Sequence, residues 1–324
     1  MEGRVPVTAC AAGFRRLDAT IWILIAVVGA FTLTAATVRG FTIATWSFIV
    51  PGGVCLLFKL SAHYYRDRRN DCRLASALES TAQVMAFSAL AAPLSYVAAT
   101  AALPLQDTAL ARLDGALSFD WTGLLALMGR WPRYFELMHV TYQLLIPQVI
   151  AAVLLLAFTG RLAWLRAYVL AFIFAALVTI AISAIVPAKG AWLYYGITDA
   201  GGTLPISSTS WPVFFGLRDG SFHLLSGLGD EGIITFPSLH AALAVILIVA
   251  LWPVPIARWI AATVNSLMLM ATPIDGSHYF IDVLAGIGLA LLCFAAAREL
   301  VMRLAAPALA AQEVVAIENL TRCG

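Results

Sequence analysis

Charged residues are scarce in this chain of 324 residues. They make up 12% of it, whereas a soluble domain has about 25%. Hydrophobic residues make up 61%. This composition excludes an ordinary soluble globular protein and predicts an all-α, polytopic membrane protein. The net charge of +2 is too small to indicate nucleic acid as a partner.

The sequence also lacks internal repeats, low-complexity tracts and Cys-x-x-Cys spacings. Its cysteines are scattered, which predicts thiols without a disulfide framework or a metal cluster: Cys10, Cys55, Cys72, Cys293 and Cys323. The first apolar run begins at Ile21, after three arginines, as it would in a signal sequence. It continues to about Val38 without a convincing small-x-small cleavage site, and this predicts a retained first helix.

Spanning helices need roughly 20 mostly apolar residues. Hydropathy predicts eight such helices, at about 21–38, 43–62, 82–102, 137–158, 163–186, 238–254, 257–273 and 278–299. Pro51-Gly52-Gly53 predicts a kink or break in the second helix. The predicted division of the chain is an N-terminal helix pair with a basic loop, a membrane core and a C-terminal cytoplasmic tail: 1–80, 81–300 and 301–324.

The distribution of Lys and Arg predicts the orientation of these helices. With the N-terminus inside, 14 of the 20 basic residues fall on the cytoplasmic side. The long polar loop 187–236 then lies outside, and its aromatic residues favour a structured cap on the membrane surface. The mixed stretch 107–135 predicts one or two short amphipathic helices at the interface.

Two histidines occur at the predicted outer ends of helices. His240 begins the sixth span and His278 begins the eighth, so both imidazoles lie at similar depth. Asp282 follows His278 by four residues, a spacing that stacks two side chains on one helix face and lets the carboxylate orient the imidazole. Ser238 and the amides near it open a helix, which is a favourable place for an anion. These are the groups that phosphoryl transfer needs.

Two segments carry a family resemblance. "FPSLHAA" (236–242) and "GSHYFIDVLAG" (276–286) resemble the type 2 phosphatidic acid phosphatase superfamily, and more closely its inositol-phosphorylceramide synthase-like (inositolphosphotransferase) branch. The resemblance covers roughly residues 185–300. It implies a six-helix catalytic core, with two helices added at the N-terminus.

The resemblance also implies roles for the site residues. His278 would attack phosphorus and form a phosphohistidine, and Asp282 would orient it. His240 would protonate the leaving group and then activate the acceptor, while Ser238 would hold phosphate oxygens. No metal or cofactor is implied. The expected partners are a membrane lipid phosphate and a lipid alcohol acceptor.

The chain departs from the phosphatase pattern at two places. Ala271 and Thr272 stand where the phosphatase branch has Ser-Arg, and the first phosphatase motif does not follow Lys189. Lys189 and Arg218 are the candidate cations that replace the missing arginine in binding phosphate. These departures favour the transferase-like branch. Frequent Ala and Arg favour a bacterial source, which predicts an inner-membrane protein with a periplasmic site.

Other interpretations remain open at this stage. A simple phosphatase acting on a lipid phosphate or an isoprenoid pyrophosphate is the alternative enzyme, and a transporter without catalysis is the alternative of another class. The segment 134–148 has polar residues that favour hydrogen bonds between helices over the alternative of a headgroup pocket: Glu136, His139, Gln143 and Gln148. Asp275 is assigned a role in the turn before His278.

Overall fold

The fold is known from a computed structural model, which describes residues 7–197, 211–227 and 232–322. Thirteen helices occur among these residues, and the predicted all-α bundle is confirmed. The helices are α1 (Val7–Val38), α2 (Trp46–Asp67), α3 (Cys72–Ala99), α4 (Asp107–Ala116), α5 (Trp121–Arg130), α6 (Pro132–Gln143), α7 (Leu145–Phe158), α8 (Leu162–Ile185), α9 (Ala191–Tyr195), α10 (Trp211–Asp219), α11 (Leu239–Leu251), α12 (Pro255–Asp275) and α13 (Phe280–Arg322).

Five helices among the described residues are long and apolar enough to span a membrane, and a bent pair makes a sixth. The five spanning segments are Phe14–Val38, Trp46–Asp67, Cys72–Ala99, Leu162–Ile185 and Phe280–Ala305. The sequence predicted eight spans. Two of the eight correspond to α11 and α12. Helix α11 has only 13 residues, and α12 is long enough but includes polar residues such as Asn265.

The predicted span 137–158 is not one continuous helix. It is divided into α6 and α7, which meet at Leu144 with a bend of 51°. Pro147 lies in the first turn of α7 and explains the break. Its ring would clash with the carbonyl of Gln143 in a continuous helix, and proline has no N–H to donate.

Helix α8 forms the centre of the bundle. Its sequence is apolar on all sides, as expected for a helix with neighbours all round. It packs against α3, α11 and α13, and Tyr168, Leu170 and Ile173 along it are fully buried. Helix α2 lies at the edge, where it packs mainly on α3. The outward face of α2 is strongly apolar, as a lipid-facing surface would be: Ile49, Val50, Leu56, Leu57 and Leu60.

A buried charge network joins α1, α2, α3 and α8 at the end of the bundle opposite the predicted histidine site. Arg166 of α8 donates two hydrogen bonds to Asp18 of α1, each of 3.2 Å. Arg66 also donates to Asp18, and Lys59 donates to Glu79. Because Arg166 is 1% exposed and Asp18 is 3% exposed, the network fixes the N-terminal helices to the core.

A second connection lies at the other end of the N-terminal helices. The short strand β1 (Thr42–Ile43), between α1 and α2, pairs in parallel with β2 (Leu224–Leu225) in the loop 187–236. Within its described residues that loop also contains α9 and α10, and Trp192 and Phe214 on these helices are buried. The N-terminal helices are therefore joined to the described part of this loop by a strand pair.

Candidate functional site

The beginnings of α11 and α13 lie against each other. Ser238 caps α11, because its Oγ accepts a hydrogen bond of 3.3 Å from the N–H of Ala241. Its own N–H donates to the carbonyl of Asp282, at 3.1 Å. This direct bond between the two helix starts brings together the motifs around residues 238 and 278, which lie 40 residues apart.

A glycine permits this close approach. A Cβ at Gly286 would lie 2.4 Å from the Ser238 carbonyl oxygen and 3.0 Å from the Ala241 Cβ. Such distances are too short for a side chain of any kind. The absence of a side chain at Gly286 therefore lets α13 pack directly on the first turn of α11.

His278 lies between Ser238 and Asp282. Its Nε2 is 3.2 Å from Ser238 Oγ, and its Nδ1 is 3.3 Å from Asp282 Oδ2. The sequence predicted that His278 and Asp282 meet as neighbours on one helix face. Instead His278 lies in the loop before α13, and Asp282 Oδ2 also accepts a hydrogen bond of 2.9 Å from the Tyr279 N–H. The carboxylate thus caps its own helix while it contacts the imidazole.

The protonation of His278 is set mainly by its burial. The residue is 3% exposed, and burial lowers the pKa of its imidazole below the usual value of 6.5. A hydrogen bond with the backbone of Thr235 acts in the opposite direction. Desolvation disfavours the imidazolium form, so one ring nitrogen keeps its lone pair at neutral pH. A proton on Nδ1, beside Asp282, would leave that lone pair on Nε2.

The loop that carries His278 is docked on the start of α9. Ser277 has a φ of +55°, which is unusual for a residue with a side chain. Its carbonyl accepts a hydrogen bond from the Ala191 N–H at 2.8 Å, and its Oγ accepts one from the Trp192 N–H at 3.0 Å. Gly190 is required beside it, because a Cβ there would lie 2.8 Å from Ser277 Oγ.

Two buried carboxylates of α4 hold the same region, and the sequence interpretation missed their role. Asp114 accepts hydrogen bonds from the N–H groups of Phe280 and Ile281, at 2.9 and 2.8 Å, and so caps α13. Asp107 accepts from the Tyr279 hydroxyl at 2.9 Å and from the Lys189 N–H at 3.0 Å. Their spacing of seven residues, which places both on one helix face, was the available signal.

A cavity of about 600 Å³ lies beside these residues. Its polar wall includes Lys189, His240, Asp275 and His278. Its apolar wall comes from α3 and α8, through residues such as Phe87, Phe172 and Ile180. The cavity can therefore take a ligand with a charged end and an apolar end.

Helix α6 contributes to this cavity through one face. The Tyr142 ring stacks on His240, with a centroid separation of 4.3 Å and an angle of 10° between the planes. Gln143 lines the cavity beside it, and His139 Nδ1 is 2.5 Å from Asp275 Oδ1. Of the other candidates on this segment, Glu136 is exposed, while Gln148 accepts a hydrogen bond of 2.8 Å from Asn265.

The two candidate cations have different surroundings. Lys189 lines the cavity, and its Nζ lies 5.8 Å from the centroid of the Tyr194 ring. Arg218 lies outside the residues that line the cavity. Its Nη2 donates a hydrogen bond of 2.7 Å to the Leu103 carbonyl, and burial lowers the pKa of its guanidinium.

The sequence profile of the PAP2 superfamily matches residues 108–296 of the chain. The match begins in α4 and ends in α13, so it includes both histidine motifs and leaves out α1, α2 and α3. No curated protein and no solved structure matches the chain.

Proposed function

Because the chain belongs to the PAP2 superfamily, we propose that it is an integral membrane lipid phosphotransferase or phosphatase that works through a phosphohistidine on His278. The single observation that carries this proposal is the position of the His278 imidazole. One ring nitrogen faces the carboxylate of Asp282 and the other faces Ser238, while His278 itself lines the cavity. A carboxylate on Nδ1 orients the ring and leaves Nε2 as the nucleophile.

In the first step, His278 Nε2 forms a bond to phosphorus as the bond from phosphorus to the leaving oxygen breaks. His240, which lines the same cavity, gives a proton to that oxygen. In the second step, His240 takes the proton of the acceptor hydroxyl as its oxygen attacks phosphorus, and the phosphorus–nitrogen bond breaks. The Tyr142 ring stacked on His240 supports this role by fixing the imidazole plane.

Phosphate binding is assigned to Ser238, the first amides of α11 and Lys189. A helix start offers N–H groups to an anion, and the Lys189 ammonium supplies positive charge at the cavity wall. Arg218 is the second candidate cation. Its contact with the Leu103 carbonyl favours Lys189 for this role.

The apolar wall of the cavity favours a lipid substrate. Water as acceptor would make the protein a phosphatase, and a lipid alcohol would make it a transferase of the inositol-phosphorylceramide synthase-like kind. Ala271 and Thr272, in place of the phosphatase Ser-Arg, favour transfer. The proposed location is a bacterial inner membrane with the site on its outer face.

The test uses purified full-length protein and a panel of lipids labelled in the phosphate group. Free phosphate and new lipid products are followed together, and labelled protein is trapped by rapid denaturation. His278→Ala should give neither turnover nor labelled protein, and Asp282→Asn should slow labelling by orders of magnitude. His223→Ala is a matched control, because this histidine lies in the loop 187–236, where its ring contacts Phe41. Normal turnover in the His278→Ala protein would refute the proposal.

The same panel distinguishes the cations and the acceptors. Lys189→Ala should weaken turnover much more than Arg218→Ala does. Product formation that requires an added lipid alcohol would identify a transferase, and phosphate release to water alone would identify a phosphatase.

A further inference from the structure

A carboxylate that the proposed chemistry does not use lies in the wall of the catalytic cavity. Asp275 is the last residue of α12 and precedes His278 by three residues. Its side chain is 3% exposed, and its Oδ1 is 2.5 Å from His139 Nδ1 on α6. A buried carboxylate needs a hydrogen-bond partner, and His139 is that partner.

The charge of Asp275 is the wrong sign for phosphate. Phosphate oxygens accept hydrogen bonds, so Lys189 attracts them and a carboxylate repels them. An ionised carboxylate only accepts hydrogen bonds. In a cavity that also binds phosphate, it therefore suits a neighbouring ligand group that donates hydrogen bonds.

The face of α6 beside Asp275 also carries polar side chains. Tyr142 and Gln143 follow His139 by three and four residues, so each lies on the same side of the helix as His139. Tyr142 and Gln143 line the cavity together with Asp275. Helix α6 packs against α12, and His139 on α6 contacts Asp275 at the end of α12.

We propose that Asp275, held by His139, is a specificity-determining residue that accepts a hydrogen bond from a hydroxyl group next to the bound phosphate. The inference rests on the proposed function and adds the chemistry that the cavity selects. The hydroxyl belongs to the headgroup of the donor lipid or to the alcohol that accepts the phosphoryl group, and both sources share this chemistry.

The test compares two soluble ligands that both carry a phosphate. Glycerol 3-phosphate has two free hydroxyls, and methyl phosphate has none. Binding to the detergent-solubilised full chain is measured by titration for the unsubstituted protein and for Asp275→Asn. The substitution should weaken glycerol 3-phosphate binding about tenfold, as expected for a hydrogen bond to a charged group. Methyl phosphate binding should change less than twofold.

Two further variants separate recognition from structural damage. His139→Ala removes the partner of Asp275 without altering α12, and it should lower the preference for glycerol 3-phosphate in the same direction. Glu136→Gln removes an exposed carboxylate from the same helix, and it should leave both affinities unchanged. The inference would be overturned if Asp275→Asn and His139→Ala weakened the binding of both ligands equally. It would also be overturned if the preference for glycerol 3-phosphate over methyl phosphate stayed unchanged.

Turnover then identifies the source of the hydroxyl. Phosphatidate is used as donor with and without added glycerol, and phosphatidylglycerol is used as a second donor. If Asp275→Asn loses turnover only in transfer to glycerol, the hydroxyl belongs to the acceptor. If it loses turnover only with phosphatidylglycerol, the hydroxyl belongs to the headgroup. If the unsubstituted protein bound neither soluble ligand, the phosphate site would be refuted, and this subsite with it.

Discussion

One methyl group, added at Gly286, should separate the two halves of the site. In Gly286→Ala the new Cβ would lie 2.4 Å from the Ser238 carbonyl oxygen. Close contacts between carbon and oxygen are normally about 3.3 Å or longer. The start of α11 must therefore move away from α13 by about 1 Å.

This displacement acts directly on His278, the proposed nucleophile. Ser238 moves with α11, and its Oγ is now 3.2 Å from His278 Nε2. An added displacement of that size takes the pair beyond hydrogen-bond distance. Misplacement by about 1 Å can lower a rate about 100-fold. We expect a loss of that order in the rate at which the phosphoenzyme forms.

The control is Gly288→Ala, two residues further along α13. A Cβ at Gly288 meets no heavy atom within 4 Å. Replacing a helical glycine by alanine stabilises a helix by up to about 1 kcal/mol, so this variant should keep its activity and unfold at the same or a higher temperature. Phosphoenzyme labelling and thermal unfolding are measured for both proteins. Full activity in Gly286→Ala would refute the claim that this contact positions Ser238.

Three other predictions follow from the same structure. Asp18→Asn leaves Arg166 buried without a full counter-charge and should destabilise the protein by about 3–5 kcal/mol. The control Arg303→Met breaks only an exposed ion pair and should change the free energy of unfolding by less than about 1 kcal/mol. Equal losses of stability for the two variants in chemical unfolding would contradict this prediction. Asp114→Ala removes the cap of α13 and should cost about 0.5–2 kcal/mol, with slower phosphoenzyme formation; stability and labelling unchanged from the unsubstituted protein would rule the cap out. Burial lowers the pKa of His278, so the neutral imidazole of this proposed nucleophile persists below pH 6.5, and the acid limb of labelling should lie below that pH. An acid limb at or above pH 6.5 would show that the imidazole is not desolvated.

The sequence predicted the all-α membrane fold because hydropathy and charge distribution are local properties. It also singled out His240, His278 and Asp282, because each motif is a short segment with recognisable residue types. Their proposed roles stay predictions. The spans were harder to predict, since Pro147 divides one run and α11 is shorter than a typical spanning helix.

The supporting residues could not be predicted from local patterns. Asp107 and Asp114 hold the His278 loop from more than 160 residues away, and Asp275 meets His139 across 136 residues. Hydropathy assigns such carboxylates to an interface or a turn. These carboxylates gain their partners only when α4 packs against the start of α13 and α6 packs against the end of α12.

The charge network around Asp18 has a consequence for the order in which the chain enters the membrane. Asp18 is synthesised first, and Arg66, the earlier of its two arginine partners along the chain, follows 48 residues later. Arg166 follows only after 148 residues. Arg66 can therefore neutralise Asp18 once α1 and α2 are inserted as a pair. Arg166 completes the network after α8 is inserted. Insertion of the early helices then does not depend on the late ones, although the finished bundle depends on both.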